Sequence, residues 1–214
     1  MKRTPEQARQ TRESLLRAAL EVFDRRGVAR ASLAEIAAEA GVTRGALYWH
    51  FKSREDLFDA LFQHLFHEFG QRLAEDIRSA SPDMLGNLRQ ALLGNFSRLE
   101  CDETIYKFLR VIHLKCEHTD DNAAIAALMQ RYKRMWREQM HAALTLCVRQ
   151  GALPAALDVE AAALYLNALL FGLLHLRLQQ PAHATLQQQA ARIIDAGLDA
   201  LRASVALQRR HNAP

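Results

Sequence analysis

Apolar residues recur at intervals of three and four along almost the whole chain, which is the spacing that places them on one face of an α-helix. These intervals predict long helices at about residues 6–26, 53–78, 83–98, 102–116, 121–150, 158–179 and 184–207. Two shorter helices are predicted between residues 32 and 52. The sequence therefore predicts an all-α protein of about nine helices, with its clearest break at residues 79–83.

The stretch from residue 32 to residue 52 predicts two short helices joined by a tight turn. Ser32 followed by Glu35 fits a capping box, in which each side chain accepts a hydrogen bond from the backbone N–H of the other residue. Gly41 ends the first helix, because glycine adopts a left-handed backbone without a steric penalty, and Thr43 caps the second. This order of elements predicts a helix-turn-helix over residues 32–51, whose second helix would enter the major groove of DNA.

The front of the second short helix carries residues that suit DNA. Arg44 can donate to guanine O6 and N7, whereas Gly45 and Ala46 have so little side chain that the helix could approach the bases closely. Because glycine costs about 1 kcal/mol of helix stability relative to alanine, a compensating role is expected at position 45. Three further polar side chains suit phosphate oxygens, namely Tyr48, His50 and Lys52. The alternative is a capped helical hairpin whose polar face is simply solvated.

The residues from Arg12 to Leu73 resemble the N-terminal domain of the TetR family of bacterial repressors, and residues 41–52 (GVTRGALYWHFK) are close to that family's recognition-helix signature. The segment from Leu114 to Asp121 (LKCEHTDD) resembles one in repressors of multidrug efflux pumps of the AcrR, TtgR and MtrR type. The resemblance implies a three-helix, helix-turn-helix DNA-binding domain at residues 9–69 and a helical ligand-binding and dimerisation domain at residues 70–214. It also implies a homodimer formed through the last two helices.

The resemblance and the residue types together give two sets of candidate site residues. The set for double-stranded operator DNA is Thr11, Arg12, Ser32, Leu33, Thr43, Arg44, Gly45, Ala46, Tyr48, Trp49, His50 and Lys52. The set for a small hydrophobic or drug-like inducer is Phe96, Phe108, Ile112, Met129, Tyr132, Trp136, Met140, Phe171 and His175. Its mixture of aromatic, flexible and weakly polar side chains suits such a ligand, with ordinary core packing as the alternative. Some relatives place charged residues near Phe171, where this chain is apolar, so the charge preference of the inducer stays open.

The distribution of charge and of cysteine agrees with a DNA-binding protein of a reducing compartment. Residues 1–54 hold eleven Lys and Arg against six Asp and Glu, whereas the rest of the chain is close to neutral. A basic head of this kind suits phosphate, with a chance excess of surface charge as the alternative. The three cysteines do not suggest a disulfide framework and the polar N-terminus shows no signal segment, so a cytoplasmic location is expected.

The helix predicted at residues 158–179 is apolar on nearly all sides and approaches the length of a membrane span. Glu160, Asn167, His175 and Arg177 interrupt it, and these residues would be costly in lipid. We therefore expect no membrane partner, and a helix that packs both on its own core and on a second subunit.

No cofactor, metal site or catalytic activity is expected. His113, Cys116, His118 and Asp120 lie close in sequence, but helical geometry brings only the first two to one face, which favours a solvated helix end over a metal site. The sequence contains no phosphate-cradling Gly-rich loop, no His-Glu-x-x-His and no Gly-x-Ser-x-Gly motif.

These features predict a ligand-responsive DNA-binding transcriptional repressor, released from a palindromic operator by hydrophobic drug-like inducers. That it controls a multidrug efflux operon rests on the resemblance. The alternative is an architectural or activating DNA-binding protein with no small-molecule effector. A helical enzyme that used the C-terminal cavity would need converging titratable groups, and the sequence shows only scattered histidines.

Overall fold

A computed structural model describes residues 4–116, 123–180 and 184–209 and is all-α over them, as predicted. Its helices are α1 (Pro5–Arg26), α2 (Leu33–Glu39), α3 (Arg44–His50), α4 (Arg54–Arg78), α5 (Met84–Cys101), α6 (Glu103–Arg110), α7 (Ala123–Arg149), α8 (Val159–Gln179) and α9 (Ala184–Ala203). A π-helical turn covers Val111–Lys115 and a 3-10 turn covers Val205–Leu207. Within the described residues, β pairing is limited to one isolated bridge between Leu157 and Gln208.

The chain divides into two compact units, with boundaries inside α4, between α5 and α6, and inside α7. The first unit holds residues 1–67 and 102–131, and the second holds residues 68–101 and 132–214. The sequence suggested one cut at residue 69 or 70, with everything after it in the C-terminal domain. The first compact unit additionally includes α6, the π-helical turn and the start of α7, and the domain boundary at residue 69 or 70 stays a prediction.

Helix α1 starts one residue before its predicted start because a second capping box precedes it. The Thr4 hydroxyl accepts from the Gln7 N–H at 3.3 Å, and the Gln7 side chain accepts from the Thr4 N–H at 3.0 Å. Pro5 occupies the first turn, where a missing N–H costs nothing. The helix ends at Gly27, whose φ of 81° lies in the region that favours glycine.

The first unit buries the apolar stripes of α1, α4 and α6 together with residues of the helix-turn-helix. The Phe23 ring packs edge-on against Phe58 with 5.9 Å between ring centroids, and Phe62 packs edge-on against Phe108 at 5.5 Å. Leu47 of α3 is fully buried. The short helix α3 is therefore held by its inner face, and its opposite face is left to solvent.

The predicted helix at residues 102–116 is helical over nearly all of this range, but its second half is a π-helical turn and not an α-helix. Asp102 caps α6 by accepting from the N–H groups of Thr104 and Ile105, as its sequence position suggested. The α-helix ends at Arg110 and the next five residues form the π-helical turn. The last carbonyl of that turn, on Lys115, accepts from the Val28 N–H at 3.2 Å, so a loop partner takes the place of a continued helix.

The second unit encloses a core built from α5, α7, α8 and α9. Its fully buried members include Met84, Leu88, Met140 and Leu144. Helices α8 and α9 approach closely at Gly197, where an added Cβ would lie 2.4 Å from a Leu169 methyl group. A side chain at position 197 would therefore push the end of the Leu169 side chain aside.

Helix α9 ends at Ala203, four residues before its predicted end. Ser204 is extended, with φ and ψ of −79° and 116°. The following residues pair with the segment that precedes α8: the Asp158 N–H donates to the Leu207 carbonyl at 2.8 Å, and the Arg209 N–H donates to the Ala156 carbonyl at 2.8 Å. Backbone pairing across 50 residues of sequence therefore ends a helix that periodicity alone would extend.

Candidate nucleic-acid interface

The first helix of the helix-turn-helix begins with the predicted capping box. The Ser32 hydroxyl accepts from the Glu35 N–H at 3.1 Å and donates to Glu35 Oε2 at 2.9 Å, and the Ser32 N–H donates to the same oxygen at 3.1 Å. The backbone and hydroxyl hydrogen bonds from Ser32 lower the pKa of Glu35. Because the Ser32 hydroxyl hydrogen is already donated to Glu35, a phosphate would have to compete for it. Leu33 is half-buried beside it.

The turn and the second helix also have the predicted geometry. Gly41 has a φ of 66° and follows α2. The Thr43 hydroxyl accepts from the Ala46 N–H at 3.2 Å, so its hydrogen can still be donated to an outside acceptor. Arg44 and Gly45 are exposed, and Ala46 is half-buried.

Among the residues that the structure describes, none requires a glycine at position 45. A Cβ built there would meet no atom closer than the Thr43 hydroxyl, at 3.9 Å, and the residue has ordinary helical backbone. The folded chain thus accepts a helix-weakening residue at the exposed front of α3 without an internal reason. The missing side chain leaves room at this exposed surface for a close approach from outside the protein.

The later residues of this region place aromatic and basic groups at the surface. Tyr48 is 48% exposed and Trp49 is 72% exposed, which is unusual for side chains of this size. The Trp49 ring packs edge-on against His50 with 4.6 Å between ring centroids. Lys52 is exposed, and its N–H donates to Asp56 Oδ2 at 2.9 Å, which fixes the backbone that carries it.

Two candidates on α1 differ in how they are held. The exposed Arg12 guanidinium lies 5.3 Å from the centroid of the Phe51 ring, a cation–π contact that directs it along the end of α3. The Thr11 hydroxyl donates to the Gln7 carbonyl at 2.8 Å, so only its oxygen lone pairs remain for a partner.

Sequence reasoning missed Arg54, which organises the loop between α1 and α2. Its guanidinium donates to the carbonyls of Val28 and Ala29 at 3.2 and 2.6 Å, and its side chain is only 18% exposed. No sequence signal indicates this role, because the partners are backbone carbonyls 25 and 26 residues away. Arg54 fixes the entry to the helix-turn-helix.

The candidate ligand residues fall in both compact units. In the first unit Phe108 is 1% exposed against Phe62, Met129 is 4% exposed, and Ile112 lies half-buried in the π-helical turn. Phe108 and Met129 are therefore packed as core in this structure.

The remaining ligand candidates lie in the second unit. Phe96 and Trp136 pack against its core, Met140 lies within that core, and Tyr132 is buried. The Trp136 indole N–H donates to Asn167 Oδ1 at 2.9 Å, which ties α7 to α8 through polar groups. On α8, Phe171 is 47% exposed and His175 is half-buried. The structure thus brings Trp136 to Asn167, which sequence reasoning had not placed in the ligand set.

The structure describes two of the four residues that lie close in sequence and could suggest a metal site. His113 lies in the π-helical turn and Cys116 follows it, whereas His118 and Asp120 lie outside the described residues, as does most of the segment 114–121. Within the residues that the structure describes, no group of three or more His, Cys, Asp or Glu side chains is arranged to hold a metal ion.

Comparison with known protein families agrees with this geometry. Residues 15–61 match the family of bacterial regulatory proteins of the tetR family, and residues 83–203 match the C-terminal region of the MAATS-type transcriptional repressors. The chain belongs to the TetR family. The first match covers the helix-turn-helix, and the second covers more than half of the chain.

Individual relatives of this TetR-family chain extend over nearly its whole length. It is 40% identical over 210 residues to ArpR of Pseudomonas putida, a probable transcriptional regulator, with 98% of this chain and 100% of the relative covered. TtgR, a transcriptional regulator of the same species, matches with the same identity and coverage. These relatives are regulators, so this TetR-family protein is a helix-turn-helix transcriptional regulator and not an enzyme.

Solved structures give the same fold. A complex of SmeT with triclosan matches with a TM-score of 0.83 and 29% identity, covering 96% of this chain and 98% of that one. MexZ, described as a key repressor responsible for antibiotic resistance in Pseudomonas aeruginosa, matches with a TM-score of 0.77 and 29% identity, covering 94% and 99%.

Proposed function

We propose that this protein is a ligand-responsive repressor that binds a palindromic operator as a homodimer and leaves it when a hydrophobic drug-like compound binds. The observation that carries the DNA-binding part is the exposed front of α3, where Arg44 stands beside a glycine that the fold does not need. The two recognition helices of a dimer would enter successive major grooves, which requires half-sites about 34–36 Å apart or a multiple of that distance.

We assign base contacts and phosphate contacts to different residues from the chemistry and exposure of their side chains. Arg44 reads a guanine, with Gly45 and Ala46 allowing the helix to approach the base edges. Backbone phosphates are contacted by the donor side chains around it, namely Arg12, Ser32, Thr43, Tyr48, Trp49, His50 and Lys52, with Leu33 packed beside the α2 cap. Thr11 could join them only by turning its hydroxyl hydrogen away from the Gln7 carbonyl.

The homodimer is supported by the surface of α8. Among the described helices, α8 is the one long and apolar enough to cross a membrane, and only 28% of its apolar window is buried within the chain. Leu164 is 67% exposed and Phe171, seven residues later, is 47% exposed, so both lie on one helix face. A second copy would remove this apolar face from water, and the polar Asn167, His175 and Arg177 would be costly in a lipid bilayer. We therefore propose dimerisation through α8 and α9 in the cytoplasm, with no membrane partner.

The inducer is proposed to bind the second compact unit through Trp136, with the aromatic and methionine candidates of the same unit as apolar surroundings. The SmeT relative was solved with triclosan, a small chlorinated aromatic compound, which supports this ligand class. Regulation of a multidrug efflux operon is proposed because SmeT is described as the repressor of a Stenotrophomonas maltophilia multidrug efflux pump. If ligand weakens operator binding by some factor, operator must weaken ligand binding by the same factor.

The deciding experiment is footprinting on the DNA upstream of the protein's own gene, with and without triclosan. We expect one protected palindrome at moderate salt and loss of protection as ligand is added. Equal affinity for the upstream fragment and a random duplex, with no response to hydrophobic drugs, would instead indicate an architectural protein.

Dimerisation has its own test, in which Leu164→Glu places a carboxylate on the exposed apolar face of α8. Light scattering after gel filtration should give a dimer for the wild type and a monomer for the variant. A matched exposed change on α7, Arg137→Glu, should leave the dimer intact. A wild-type protein that is monomeric at micromolar concentration would refute the proposed assembly.

A further inference from the structure

A cleft lined mainly by arginines lies beside the helix-turn-helix. None of its residues is among the predicted DNA contacts. It is lined by Arg25, Arg26, Arg30 and Glu35 and has a volume of about 340 Å³. All four residues belong to the first compact unit, at the end of α1, in the loop after it and in the first turn of α2. With Glu39, which pairs with Arg25 from outside the lining, three guanidinium groups face two carboxylates, so the cleft has a small net positive charge.

Arg25 and Arg26 are each paired with a carboxylate of α2. Arg25 pairs with Glu39 at 2.8 Å, and Arg26 pairs with Glu35 Oε1 at 3.2 Å. The Arg25 side chain is 56% exposed and the Arg26 side chain is 59% exposed, so solvent or a ligand can reach both. Exposed ion pairs of this kind are weak and exchange partners at little cost.

The cleft is connected to the start of the helix-turn-helix through one side chain. While Glu35 Oε1 pairs with Arg26, its other oxygen accepts the N–H and hydroxyl hydrogen bonds of Ser32. Arg30 stands two residues before Ser32, which places its Cα within about 7 Å of the α2 cap. The cleft therefore borders the α2 cap, where we have proposed that a phosphate lies.

The loop that carries Arg30 is fixed in place. Arg54 donates to the carbonyls of Val28 and Ala29, and the Val28 N–H donates to the Lys115 carbonyl. A loop held at both preceding residues presents Arg30 from a defined position, so less conformational freedom is lost when it binds.

We propose that this cleft binds a backbone phosphate of the DNA, outside the contacts made by α3, and that Glu35 and Glu39 weaken it by competing for the arginines. The proposal rests on the proposed function. A guanidinium group is planar and can donate two parallel hydrogen bonds, which matches the geometry of a phosphate. A phosphate can therefore replace the carboxylate partners of Arg25 and Arg26, and both arginines still donate hydrogen bonds. The cleft adds affinity on every sequence and no base specificity.

The first test measures how Arg30→Gln changes the salt dependence of DNA binding by fluorescence anisotropy, on an operator duplex and a random duplex. Loss of one phosphate contact should lower the slope of log K against log salt by about 0.9 and weaken binding about five- to tenfold near 0.1 M salt. Both duplexes should lose the same factor. The control is Arg137→Gln on α7, which removes the same charge from an exposed site in the other unit and should leave the slope unchanged.

The second test removes the competing carboxylate instead of the arginine. Glu39→Gln frees Arg25 from its ion pair and should tighten binding to both duplexes, with a steeper salt dependence. Glu39 is chosen because Glu35 also caps α2, and its replacement would disturb the helix itself. Circular dichroism and thermal melting should be unchanged in both variants, which excludes misfolding as the cause.

An unchanged slope in Arg30→Gln, or no gain in Glu39→Gln, would overturn the proposal. Titration with inorganic pyrophosphate is a further measurement. If the wild type binds pyrophosphate and Arg30→Gln does not, while both bind DNA with the same affinity, the cleft binds a small polyanion and not DNA. If the proposed function itself were wrong, the result would differ from both of these, because the wild type would show no preference for operator over random duplex.

Discussion

Arg110 on α6 donates two hydrogen bonds to Asp24 on α1, Nε to Oδ1 at 2.7 Å and Nη2 to Oδ2, across 86 residues of sequence. One turn earlier on both helices, Lys107 donates to Glu21 at 2.8 Å. The hydrogen bonds to Asp24 raise the pKa of Arg110, whose charge is thereby favoured. These two ion pairs and the Val28–Lys115 hydrogen bond fasten α6 and the π-helical turn to α1.

Asp24→Asn should lower the free energy of unfolding by about 1–3 kcal/mol, the range for hydrogen bonds to charged groups. The effect should be measurable because the Asp24 side chain is only 11% exposed. Urea denaturation at one fixed protein concentration provides the measurement. Glu6→Gln is the control, since the Glu6–Arg9 pair is largely exposed and should matter much less. Equal effects of the two substitutions would show that the α6–α1 pair contributes no more than a surface ion pair.

The helix-turn-helix could be predicted because its signals are local. The Ser32–Glu35 box, the left-handed Gly41 and the Thr43 cap all lie within four residues of the groups that they satisfy. The family resemblance indicated the function, whereas the order of these residues was enough to predict the geometry.

The organisation around α6 could not be predicted in this way. Taken separately, Asp24 and Arg110 each look like an ordinary polar position on an amphipathic helix. Neither residue type indicates that its partner lies 86 positions away. The same holds for Arg54, whose acceptors are backbone carbonyls. Periodicity also predicted one helix over residues 102–116, and nothing in the apolar spacing indicated that its second half is a π-helical turn.

Arg44→Ala should weaken operator binding by about 1–3 kcal/mol and leave binding to random duplex almost unchanged, because a guanine contact distinguishes sequences. Lys52→Ala is the matched comparison, since a phosphate contact should weaken both duplexes alike and flatten the salt dependence. Anisotropy titrations on both duplexes at several salt concentrations separate the two patterns. If the two variants behave identically, Arg44 does not read a base.

Cys147 should resist modification in the folded protein although it is a free thiol. It is fully buried, and that burial raises the pKa of its thiol to about 12, so only about one molecule in ten thousand carries the reactive thiolate at pH 8. Cys101 is exposed and should react quickly under the same conditions. Reaction with Ellman's reagent, followed by peptide mass spectrometry, assigns each site. Modification of Cys147 as fast as that of Cys101 would mean that the second unit opens readily under native conditions.

Trp136→Phe should change ligand binding while sparing DNA binding. The variant keeps an aromatic ring but removes the N–H that donates to Asn167, which leaves the amide oxygen without this donor. Calorimetric titration with triclosan should show at least a several-fold change in affinity, and the ligand-free protein should bind operator normally. Trp49→Phe serves as the control, because Trp49 lies in the DNA-binding region and should not affect ligand affinity. An unchanged triclosan affinity in Trp136→Phe would remove Trp136 from the proposed ligand site.

Gly45→Ala separates a structural role of α3 from a role on DNA. Since the nearest atom to the added methyl group is 3.9 Å away, the folded protein has room for it, and helix propensity should keep or raise stability by up to about 1 kcal/mol. Operator affinity should nevertheless fall by about tenfold or more, because the methyl group would separate the helix from the base edges. Gly94→Ala on α5 is the matched control, with open space around its Cβ as well, and should gain stability without any change in DNA binding. A Gly45→Ala protein that binds operator as tightly as the wild type would show that the front of α3 does not lie against the bases.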